Sequence, residues 1–539
     1  MTSLPQQKVG IIGAGLAGLV AARHFLHAGW IVTLFESQAA VGGIWRSSYP
    51  FAKLQSPSSV YHLGEFPFPE SVDKFATKTQ LEDYFSDYAD YFGITERIRF
   101  NSKVLKIQKR PDGKKGWRLT VEHSNQQYAE DFDFVVSAQG LYSGAPRIPE
   151  MKGRETFQGT IVHSSELKEV SMLLKPTTIV LGGNKTALEF LTKRIQDAHP
   201  SQQSLLKSYW VFRRAKWLIP QNIFGIIPFR WRVSNRLVTH SWAQWLSLIR
   251  AHNQLPDPPK TKVELAAIEK SRYQEIVERE KPVSRLFISA FGYKPADVFL
   301  PSFRLSKQCG MDAQTPGFFN LVRSGAIEAI ANATIESFNG NTVHLSNRQA
   351  IDNVDVVVLA TGFSQTMLLP EGVPNSLIEN GGIFLYRNVI HPEIEDFAFL
   401  GFTACLQITS ATSMAAHWLM GVLRGHVKLP SRTAQLKDIQ RRRQEVKERC
   451  GQQEFGAGQV NHTAYLDQIC RDLRISPLRK IRNWVKWGGI WNPLAWVNEI
   501  LGKYGPADYK FLDIESELDE AVQNIGVEMM VSRIEKLEE

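Results

Sequence analysis

The sequence predicts an α/β protein with two doubly wound domains and a C-terminal helical extension. Residues 9–26 and residues 178–198 each carry an apolar strand, a glycine-rich turn and a helix, in that order. This order is typical of the start of a Rossmann-like dinucleotide-binding domain. From Pro430 onward the composition changes to charged helical and Trp-rich segments. We therefore expect two Rossmann-like domains, the second interrupting the first, followed by the extension.

The first glycine turn joins the strand Val9 to Ile12 to a helical run that begins at Leu19. Glycines are needed there for a tight turn, for the approach of a pyrophosphate to bare backbone and for contact between helix and strand. The helix N-terminus then faces the phosphates with its unpaired N–H groups. The candidate cofactor-binding residues of this turn are Gly13, Gly15, Leu16, Ala17 and Gly18.

Glu36 ends the next strand, which comes after the helix that follows Gly18. Its carboxylate can accept hydrogen bonds from a ribose diol and disfavours a 2'-phosphate, so we assign FAD to this site. Gly43, Ile44 and Trp45 lie just beyond and are further cofactor-binding candidates, because paired glycines at 42–43 admit a phosphate and Trp45 could cover the nucleotide. An ordinary loop with a buried tryptophan is the alternative.

The second glycine turn is degenerate, with Asn184 and Ala187 where glycines are expected. Its candidate cofactor-binding residues are Gly182, Asn184, Lys185 and Thr186. The strand that follows, residues 209–212, ends in Arg213 and Arg214, the opposite of the acid at Glu36. Arginines at this place suit a 2'-phosphate through bidentate bonding, which favours NADPH over NADH. A solvated basic loop is the alternative.

Several further elements are predicted along the chain. We expect a helix over 78–92 and strands over 104–108, 117–123 and 132–137. Residues 133–140 and 355–362 each run from an apolar strand into a glycine turn, which places Thr361 and Gly362 near a nucleotide. Either segment could instead be a buried strand that ends in a glycine. A charged helix is expected over 435–449 and a last helix over 513–539.

Composition limits the class of protein. The 539 residues, 43% hydrophobic and 22% charged, fit a multidomain globular chain. We expect domains at 1–155 and 326–430 for FAD, 156–325 for NADPH with a Trp- and Arg-rich insertion near 215–300, and an extension at 431–539. No stretch matches a membrane span or signal peptide, and the four cysteines lack metal or redox spacing, so we expect a cytoplasmic protein without a metal site.

The net charge of +9 is uneven: residues 205–256 hold eight Lys or Arg, five Trp and no acid. Such a stretch could contact a membrane surface peripherally, or cover a hydrophobic substrate channel and attract an anionic cofactor. Nothing in it has the ordered aromatic repeats of a nucleic-acid-binding surface. We favour the channel and keep the membrane contact open; the oligomeric state is not readable.

Between the two glycine turns, the motif F-x-G-x-x-x-H-x-x-x-[FY]-[KR] is matched by Phe157, Gly159, His163 and Lys168, with Leu167 at the aromatic position. This motif is typical of flavin-containing monooxygenases, which the chain resembles over about its first 430 residues, with the plant and microbial members most similar. Baeyer–Villiger relatives carry Trp followed by Pro or Asp at positions 167 and 168. The pair Leu167-Lys168 therefore favours the branch that oxidises heteroatoms.

The resemblance implies a monooxygenase that uses FAD, NADPH and O2. NADPH would reduce FAD, the reduced flavin would add O2 to form a C4a-hydroperoxyflavin, and an amine nitrogen or a sulfide sulfur would take one oxygen atom. The family often places an Asn beside the flavin, and Gln55 stands at the matching position here. Gln55 is the catalytic candidate, since its amide can still bond to the flavin edge or the nicotinamide; a surface glutamine is the alternative.

Other functions use the same fold. The first alternative is Baeyer–Villiger oxidation of a ketone, and the second is an NADPH-dependent flavin reductase of quinones or disulfides, against whose disulfide version the absence of a C-x-x-C argues. A nucleotide-binding scaffold without turnover would fit the degenerate second turn.

Overall fold

The computed structural model describes residues 7–64, 66–142, 144–215, 218–220, 222–223, 227–228, 312–364, 367–373, 377–379, 382–405, 407–450, 458–480, 504–511 and 513–516. Most of the predicted insertion near 215–300 lies outside the described residues. The same holds for the Trp-rich run at 484–496 and for most of the predicted helix over 513–539.

The described residues form both strands and α-helices. The strands are β1 Lys8–Ile12, β2 Ile31–Phe35, β3 Ile98–Arg99, β4 Ser102–Lys109, β5 Trp117–His123, β6 Gln126–Phe132, β7 Phe134–Ser137, β8 Thr160–His163, β9 Thr177–Leu181, β10 Lys207–Phe212, β11 Leu218–Pro220, β12 Asn222–Ile223, β13 Ile227–Pro228, β14 Asp312–Gln314, β15 Glu328–Ala331, β16 Ile335–Asn339, β17 Thr342–Leu345, β18 Ala350–Ile351, β19 Val356–Leu359, β20 Ile378–Glu379, β21 Gly382–Ile383 and β22 Phe397–Phe399. The α-helices are α1 Leu16–His27, α2 Lys78–Tyr91, α3 Lys185–Asp197, α4 Pro200–Gln203, α5 Phe318–Arg323, α6 Ile408–Leu423, α7 Arg432–Cys450 and α8 His462–Asp472.

The first glycine turn belongs to a five-stranded parallel sheet with the order β22-β7-β1-β2-β3. This arrangement confirms the predicted α/β class. The predicted helix over 78–92 is α2, whose N-terminus is fixed by a capping box between Thr77 and Gln80. One predicted strand is divided: Phe132 closes β6, and β7 begins at Phe134.

The second glycine turn belongs to a separate five-stranded parallel sheet with the order β15-β10-β9-β19-β8. β8 and β19 pair with each other, although Thr160 and Val356 are far apart along the chain. The four predicted domain ranges remain a proposal. Because β15 and β19 lie within 326–430 but join the second sheet, we propose that the chain returns to the first domain only after Gly362.

A three-stranded antiparallel sheet covers one face of each parallel sheet. The strands β4, β5 and β6 pack on the first parallel sheet through a core that includes Ile107, Leu119 and Phe399. The strands β16, β17 and β18 pack on the second sheet in the same way. Helices α1 and α3 occupy the opposite faces of their sheets. Each domain is therefore layered, with the strand ends left at one edge for ligands.

The C-terminal extension shares the hydrophobic core of the first domain. Ile439, Tyr465 and Ile514 pack in the same buried cluster as α1 and α6. Its polar contacts are specific as well, because Asp472 accepts hydrogen bonds from the Arg387 guanidinium (2.6 Å) and from the Trp418 indole (2.9 Å). The predicted charged helix over 435–449 is the longer α7. The extension thus folds together with the domain that carries the first glycine turn.

One fully buried cation stabilises the second sheet. The guanidinium of Arg194 on α3 donates to the carbonyl oxygens of Leu173, Pro176 and Lys207 and to the Ser208 hydroxyl. Burial lowers the pKa of Arg194 to about 10, so the group stays protonated at neutral pH. The arrangement joins α3 to β10 and to the chain before β9.

We expect Arg194→Met to lower the free energy of unfolding by about 3 kcal/mol, because it leaves several buried carbonyl oxygens without a donor. Denaturant unfolding monitored by circular dichroism measures the change. Lys193→Met on the partly exposed side of the same helix is the control and should change stability by less than about 0.5 kcal/mol. A loss below about 0.5 kcal/mol in Arg194→Met would show that the Arg194 guanidinium is dispensable.

Candidate functional site

The first glycine turn is shaped by two close backbone approaches. A Cβ at Gly13 would lie 2.7 Å from the carbonyl oxygen of Ala138, which follows β7. A Cβ at Gly18, in the first turn of α1, would lie 1.8 Å from the carbonyl oxygen of Gly13. Gly13 also has a φ of 103°, which favours glycine. These positions cannot carry side chains, so bare backbone faces the N-terminus of α1, as pyrophosphate binding requires.

Glu36 lies buried beside this turn. Its Oε2 accepts a hydrogen bond from the N–H of Ala14 at 2.8 Å, and its Oε1 accepts one from the N–H of Gln38 at the same distance. Oε2 keeps a second lone pair that can accept a ribose hydroxyl. The sequence predicted an acid at the end of β2. It did not predict that Glu36 would also fix the first glycine turn through the N–H of Ala14.

The Gly42–Trp45 segment lies against the same turn. The N–H of Gly42 donates to the carbonyl of Ala14 (3.1 Å), and a Cβ at Gly43 would lie 3.1 Å from the Cα of Gly15. The Trp45 indole donates to the Tyr61 hydroxyl at 3.2 Å, with the two rings edge to face. Leu16 and Ala17 start α1, and a Cβ at Gly401 would meet the Ala17 methyl at 2.6 Å.

The start of α6 holds a group of polar residues that sequence reasoning missed. The side chains of Thr409, Ser410 and Thr412 are nearly inaccessible, and their hydroxyl oxygens have no hydrogen-bond partner among the described residues. α6 packs against α1, which carries the first glycine turn. The oxygen atoms themselves are inaccessible, so the structure does not direct them at an open ligand site. The signal in the sequence was a run of Thr and Ser inside an otherwise apolar helix.

The second glycine turn repeats the first at β9. A Cβ at Gly182 would lie 2.3 Å from the carbonyl oxygen of Ala360, and one at Gly183 would lie 3.1 Å from that of Arg214. Asn184 is the N-cap of α3. Ala187 is fully buried in the core of this domain, which explains how alanine is accommodated where the motif has glycine. The turn keeps the glycine it needs at Gly182.

Arg213 and Arg214 are exposed directly after β10, which pairs in parallel with β9. The pairing brings both arginines to the edge that holds Gly182 and Gly183. Lys185 lies differently: its ammonium is 2.6 Å from the Glu189 carboxylate and donates to the carbonyl of Lys53 at 3.0 Å. Lys185 therefore joins α3 to the first domain, and its role as a cofactor-binding residue remains a prediction.

Glu189 is the centre of the contact between the two domains. Besides Lys185, it accepts a hydrogen bond from the hydroxyl of Tyr49. Burial and this carboxylate raise the pKa of Tyr49, whose hydroxyl also contacts the side chain of Thr186. The rings of Tyr49, Phe51 and Phe190 pack at centroid distances of 4.8 to 5.0 Å. The 49–53 segment is therefore fixed on α3.

The motif at 157–168 contains β8, which pairs with β19 in the second sheet. His163, at the end of β8, contacts the segment that follows β19. The Nε2 of His163 donates to the carbonyl of Gly362 at 3.0 Å, while Nδ1 accepts from the N–H of Ser165 at 3.2 Å. Burial lowers the pKa of His163, which favours this neutral form. The hydroxyl of Thr361 donates to the carbonyl of Arg147. These hydrogen bonds fix Thr361 and Gly362 directly after β19. Their role in binding a nucleotide stays a prediction.

The other motif residues are explained by packing. A Cβ at Gly159 would lie 2.5 Å from the carbonyl oxygen of Asp355 and from the Phe157 ring. Leu167 is 2% exposed in the core of the second domain, whereas Lys168 is exposed. Leucine therefore replaces the aromatic residue as a core side chain.

Gln55 is partly buried and lines a cavity of about 550 Å³ between the two domains. One wall is formed by the 51–55 and 73–75 segments, and the other by α3 and residues 315–316. The structure thus brings Gln55 and Lys185 to one cavity, while Glu36 and Arg213 lie at the two glycine turns. The volume of this cavity, about 550 Å³, is within the range of small-molecule sites.

Two absences apply to the described part of the chain. Its His, Cys, Asp and Glu side chains form no group of three or more that could hold a metal ion. Across the same residues, none of the helices is both long and apolar enough to cross a membrane.

The chain is similar to known proteins over most of its length. A family model described as flavin-binding monooxygenase-like matches residues 6–287 and 315–481. Probable flavin-containing monooxygenase 1 of Arabidopsis thaliana is 26% identical over 556 residues, which cover 95% of this chain and 98% of the relative. Flavin-containing monooxygenase 5 of Rattus norvegicus is 24% identical over 465 residues, which cover 83% of this chain and 79% of the relative.

Solved structures share the fold. S-allyl-L-cysteine S-oxygenase from Allium sativum matches with a TM-score of 0.57 and 16% identity, over 96% of this chain and 99% of that one. Cyclohexanone-bound cyclohexanone monooxygenase matches with a TM-score of 0.60 and 16% identity, over 86% and 97%. OTEMO in complex with FAD and NADP matches with a TM-score of 0.56 and 17% identity, over 82% and 89%.

Two Rossmann-like domains, each with a glycine turn at the carboxyl edge of a parallel sheet, define an oxidoreductase that uses two dinucleotides. The chain belongs to the flavin-binding monooxygenase-like family. It is therefore a flavoprotein monooxygenase with FAD and NADPH as cofactors and with a small molecule and O2 as substrates.

We expect Glu36→Ala to weaken FAD binding at least about tenfold, because it removes two accepted backbone hydrogen bonds and the ribose acceptor. Equilibrium dialysis of the apoprotein with FAD, read by flavin fluorescence, measures the affinity. Glu70→Ala at an exposed loop position is the control. Unchanged FAD affinity in Glu36→Ala would place the ribose elsewhere.

Proposed function

We propose that the enzyme inserts one oxygen atom from O2 into a nucleophilic nitrogen or sulfur atom of a small molecule. The observation that carries the proposal is the pair Leu167-Lys168, with Leu167 buried and Lys168 exposed. Relatives that oxidise ketones carry Trp followed by Pro or Asp at these two positions. A relative from Oryctolagus cuniculus, 24% identical, is named for forming an N-oxide, which supports the same branch.

The charges at the strand ends support a separate site for each of the two cofactors. FAD would lie on the first glycine turn, with its ribose at Glu36 and its pyrophosphate at the N-terminus of α1. NADPH would lie on the second turn, with its 2'-phosphate at Arg213 and Arg214. The exposed position of both arginines beside Gly183 supports this placement.

The protein's own contribution is to bind, orient and exclude water. The bound flavin supplies the redox chemistry, and the protein supplies positioning and a dry site. Gln55 faces the cavity between the domains, where its amide can hold the nicotinamide or the flavin edge. His163 is neutral and hydrogen-bonded through both ring nitrogens, so we assign it a positioning role.

Ketone oxidation is the second candidate. The structural match to cyclohexanone monooxygenase, with a TM-score of 0.60, is as good as the match to the S-oxygenase of Allium sativum, with 0.57. The fold therefore does not discriminate between them, and the sequence at 167–168 decides our preference. The cytoplasmic location and a membrane contact through the basic stretch also remain proposals.

We expect NADPH-dependent O2 uptake with amines or sulfides, together with formation of N-oxides, hydroxylamines or S-oxides. Oxygen consumption with a panel of amines, sulfides, hydroxylamines and ketones, followed by mass spectrometry of the products, tests this. Esters from ketones, with no oxidation of amines or sulfides, would favour the second candidate. A flavin that NADPH does not reduce would instead indicate a scaffold without turnover.

We expect Arg213→Ala or Arg214→Ala to raise the KM for NADPH about tenfold or more and to change the KM for NADH little, because NADH lacks the 2'-phosphate. Steady-state kinetics with both cofactors measure the ratio. Lys207→Ala, exposed at the start of the same strand, is the matched control. If both KM values rise equally, the 2'-phosphate lies elsewhere.

A further inference from the structure

The contact between the Tyr49 hydroxyl and the Glu189 carboxylate joins the two domains close to both glycine turns. Tyr49 is 8% exposed, and its hydroxyl donates a hydrogen bond to Glu189 on α3. The Glu189 side chain is 14% exposed, so little water reaches this bond. Hydrogen bonds to charged groups are stronger than neutral ones, and the effect grows away from water. The contact is therefore stronger than an ordinary surface hydrogen bond.

In the first domain, a short series of turns leads from the glycine turn to Tyr49. A Cβ at Gly43 would lie 3.1 Å from the Cα of Gly15, so the two backbones touch. Gly43 starts a 3₁₀ turn that ends at Trp45, and the N–H of Ser48 donates to the carbonyl of Trp45 at 3.2 Å. Tyr49 is the next residue. Its position is therefore set by backbone that contacts the first glycine turn.

In the second domain, Glu189 lies one helical turn after the residues that start α3. The Lys185 ammonium is 2.6 Å from its carboxylate, and the Thr186 side chain contacts the Tyr49 hydroxyl. Asn184, the N-cap of α3, follows directly after the glycines of the second turn. The contact with Tyr49 thus fixes the start of α3, where we propose that NADPH lies.

The ring and the hydroxyl of Tyr49 have separate contacts. The ring packs against those of Phe51 and Phe190, with centroid distances of 4.8 Å in both pairs. The hydroxyl contacts Glu189 and Thr186. Phenylalanine at position 49 would therefore keep the packing of the rings and remove only the polar contact.

We propose that Tyr49 and Glu189 are positioning residues for the transfer of a hydride from NADPH to the flavin. The hydride carries one proton and two electrons, so NADPH becomes NADP+ and the flavin is reduced. Such a transfer needs the two reacting rings in contact, and a small displacement lowers its rate steeply. Neither side chain touches the reacting atoms; both act by fixing α3 against the 43–49 segment. The inference rests on the proposed placement of the two cofactors.

The test measures reduction of the FAD-loaded enzyme by NADPH without oxygen, followed by stopped-flow absorption of the flavin. Tyr49→Phe should lower the limiting rate at saturating NADPH about tenfold and leave the dissociation constant of NADP+ within about twofold of the wild type. Reduction by dithionite, which needs no second nucleotide, should keep its rate. Tyr91→Phe makes the same chemical change at a residue that is 73% exposed and is the control.

Variants of Glu189 test the other side of the contact. Glu189→Gln keeps an oxygen that can accept from the Tyr49 hydroxyl, so its limiting rate should lie closer to that of the wild type than to that of Glu189→Leu. Glu189→Leu removes the acceptor and should lose at least as much as Tyr49→Phe. Because both changes break the same contact, the double variant should be no slower than Glu189→Leu alone.

Binding of NADP+ to the oxidised enzyme gives a readout without turnover. Contact between the nicotinamide and flavin rings changes the absorption spectrum of the flavin, so the difference spectrum at saturating NADP+ reports their relative position. Tyr49→Phe should reduce the amplitude of this spectrum. A role in folding alone would instead lower the FAD content and the melting temperature and leave the amplitude per bound FAD unchanged.

Three results would overturn the inference: a limiting rate in Tyr49→Phe equal to that of the wild type, an equal loss in the rate with dithionite, or a dissociation constant of NADP+ raised about tenfold. The last would make the contact part of the nucleotide site. A wild-type flavin that NADPH does not reduce would refute the proposed function itself. Since no oxidisable substrate is present, the result is independent of the preference for amines, sulfides or ketones.

Discussion

The structure depends on how closely backbone can approach backbone at the strand ends. At Gly13, Gly18 and Gly182, a Cβ would meet a carbonyl oxygen at 2.7, 1.8 and 2.3 Å. In both domains the carbonyl beside the first glycine of the turn comes from the neighbouring returning strand, at Ala138 or Ala360. The glycines therefore allow the returning strand to close the sheet beside the turn, and they leave bare backbone at the place where we propose that a phosphate binds.

The motif at 157–168 follows from the same constraint at the crossing between domains. Gly159 is required because Asp355, at the entrance to β19, leaves no space for a side chain. His163 ends β8 and holds the carbonyl of Gly362 just after β19, so the two strands are fixed at both ends. The motif thus fixes the segment that enters the second domain against the segment that leaves it. Its diagnostic value for the chemistry lies only at positions 167 and 168.

The sequence predicted the structural features that depend on residues close to one another in the chain. The two turns, Glu36 and the arginine pair depend on spacing within single strand–turn–helix–strand segments, and α2 depends on its own helical periodicity; the structure has these elements where the sequence indicated. Long-range pairing was less accessible: β19 lies in the second sheet because its partner β8 comes from a distant part of the chain. Lys185 was predicted as a cofactor-binding residue from its place in the turn, and that role stays a prediction; its contacts with Glu189 and the Lys53 carbonyl depend on the domain contact, which the local sequence does not show.

That contact also determines what the two nucleotide sites can do together. Tyr49 and Phe51 follow closely after Trp45, beside the first glycine turn, and pack on α3, whose N-terminus faces the second. A shift of α3 would therefore break a buried hydroxyl–carboxylate hydrogen bond and separate three packed rings. The contact at Glu189 therefore fixes α3, which begins at the second glycine turn, against the segment that follows the first glycine turn. The cavity lies beside this contact, with both Gln55 and Glu189 among its lining residues.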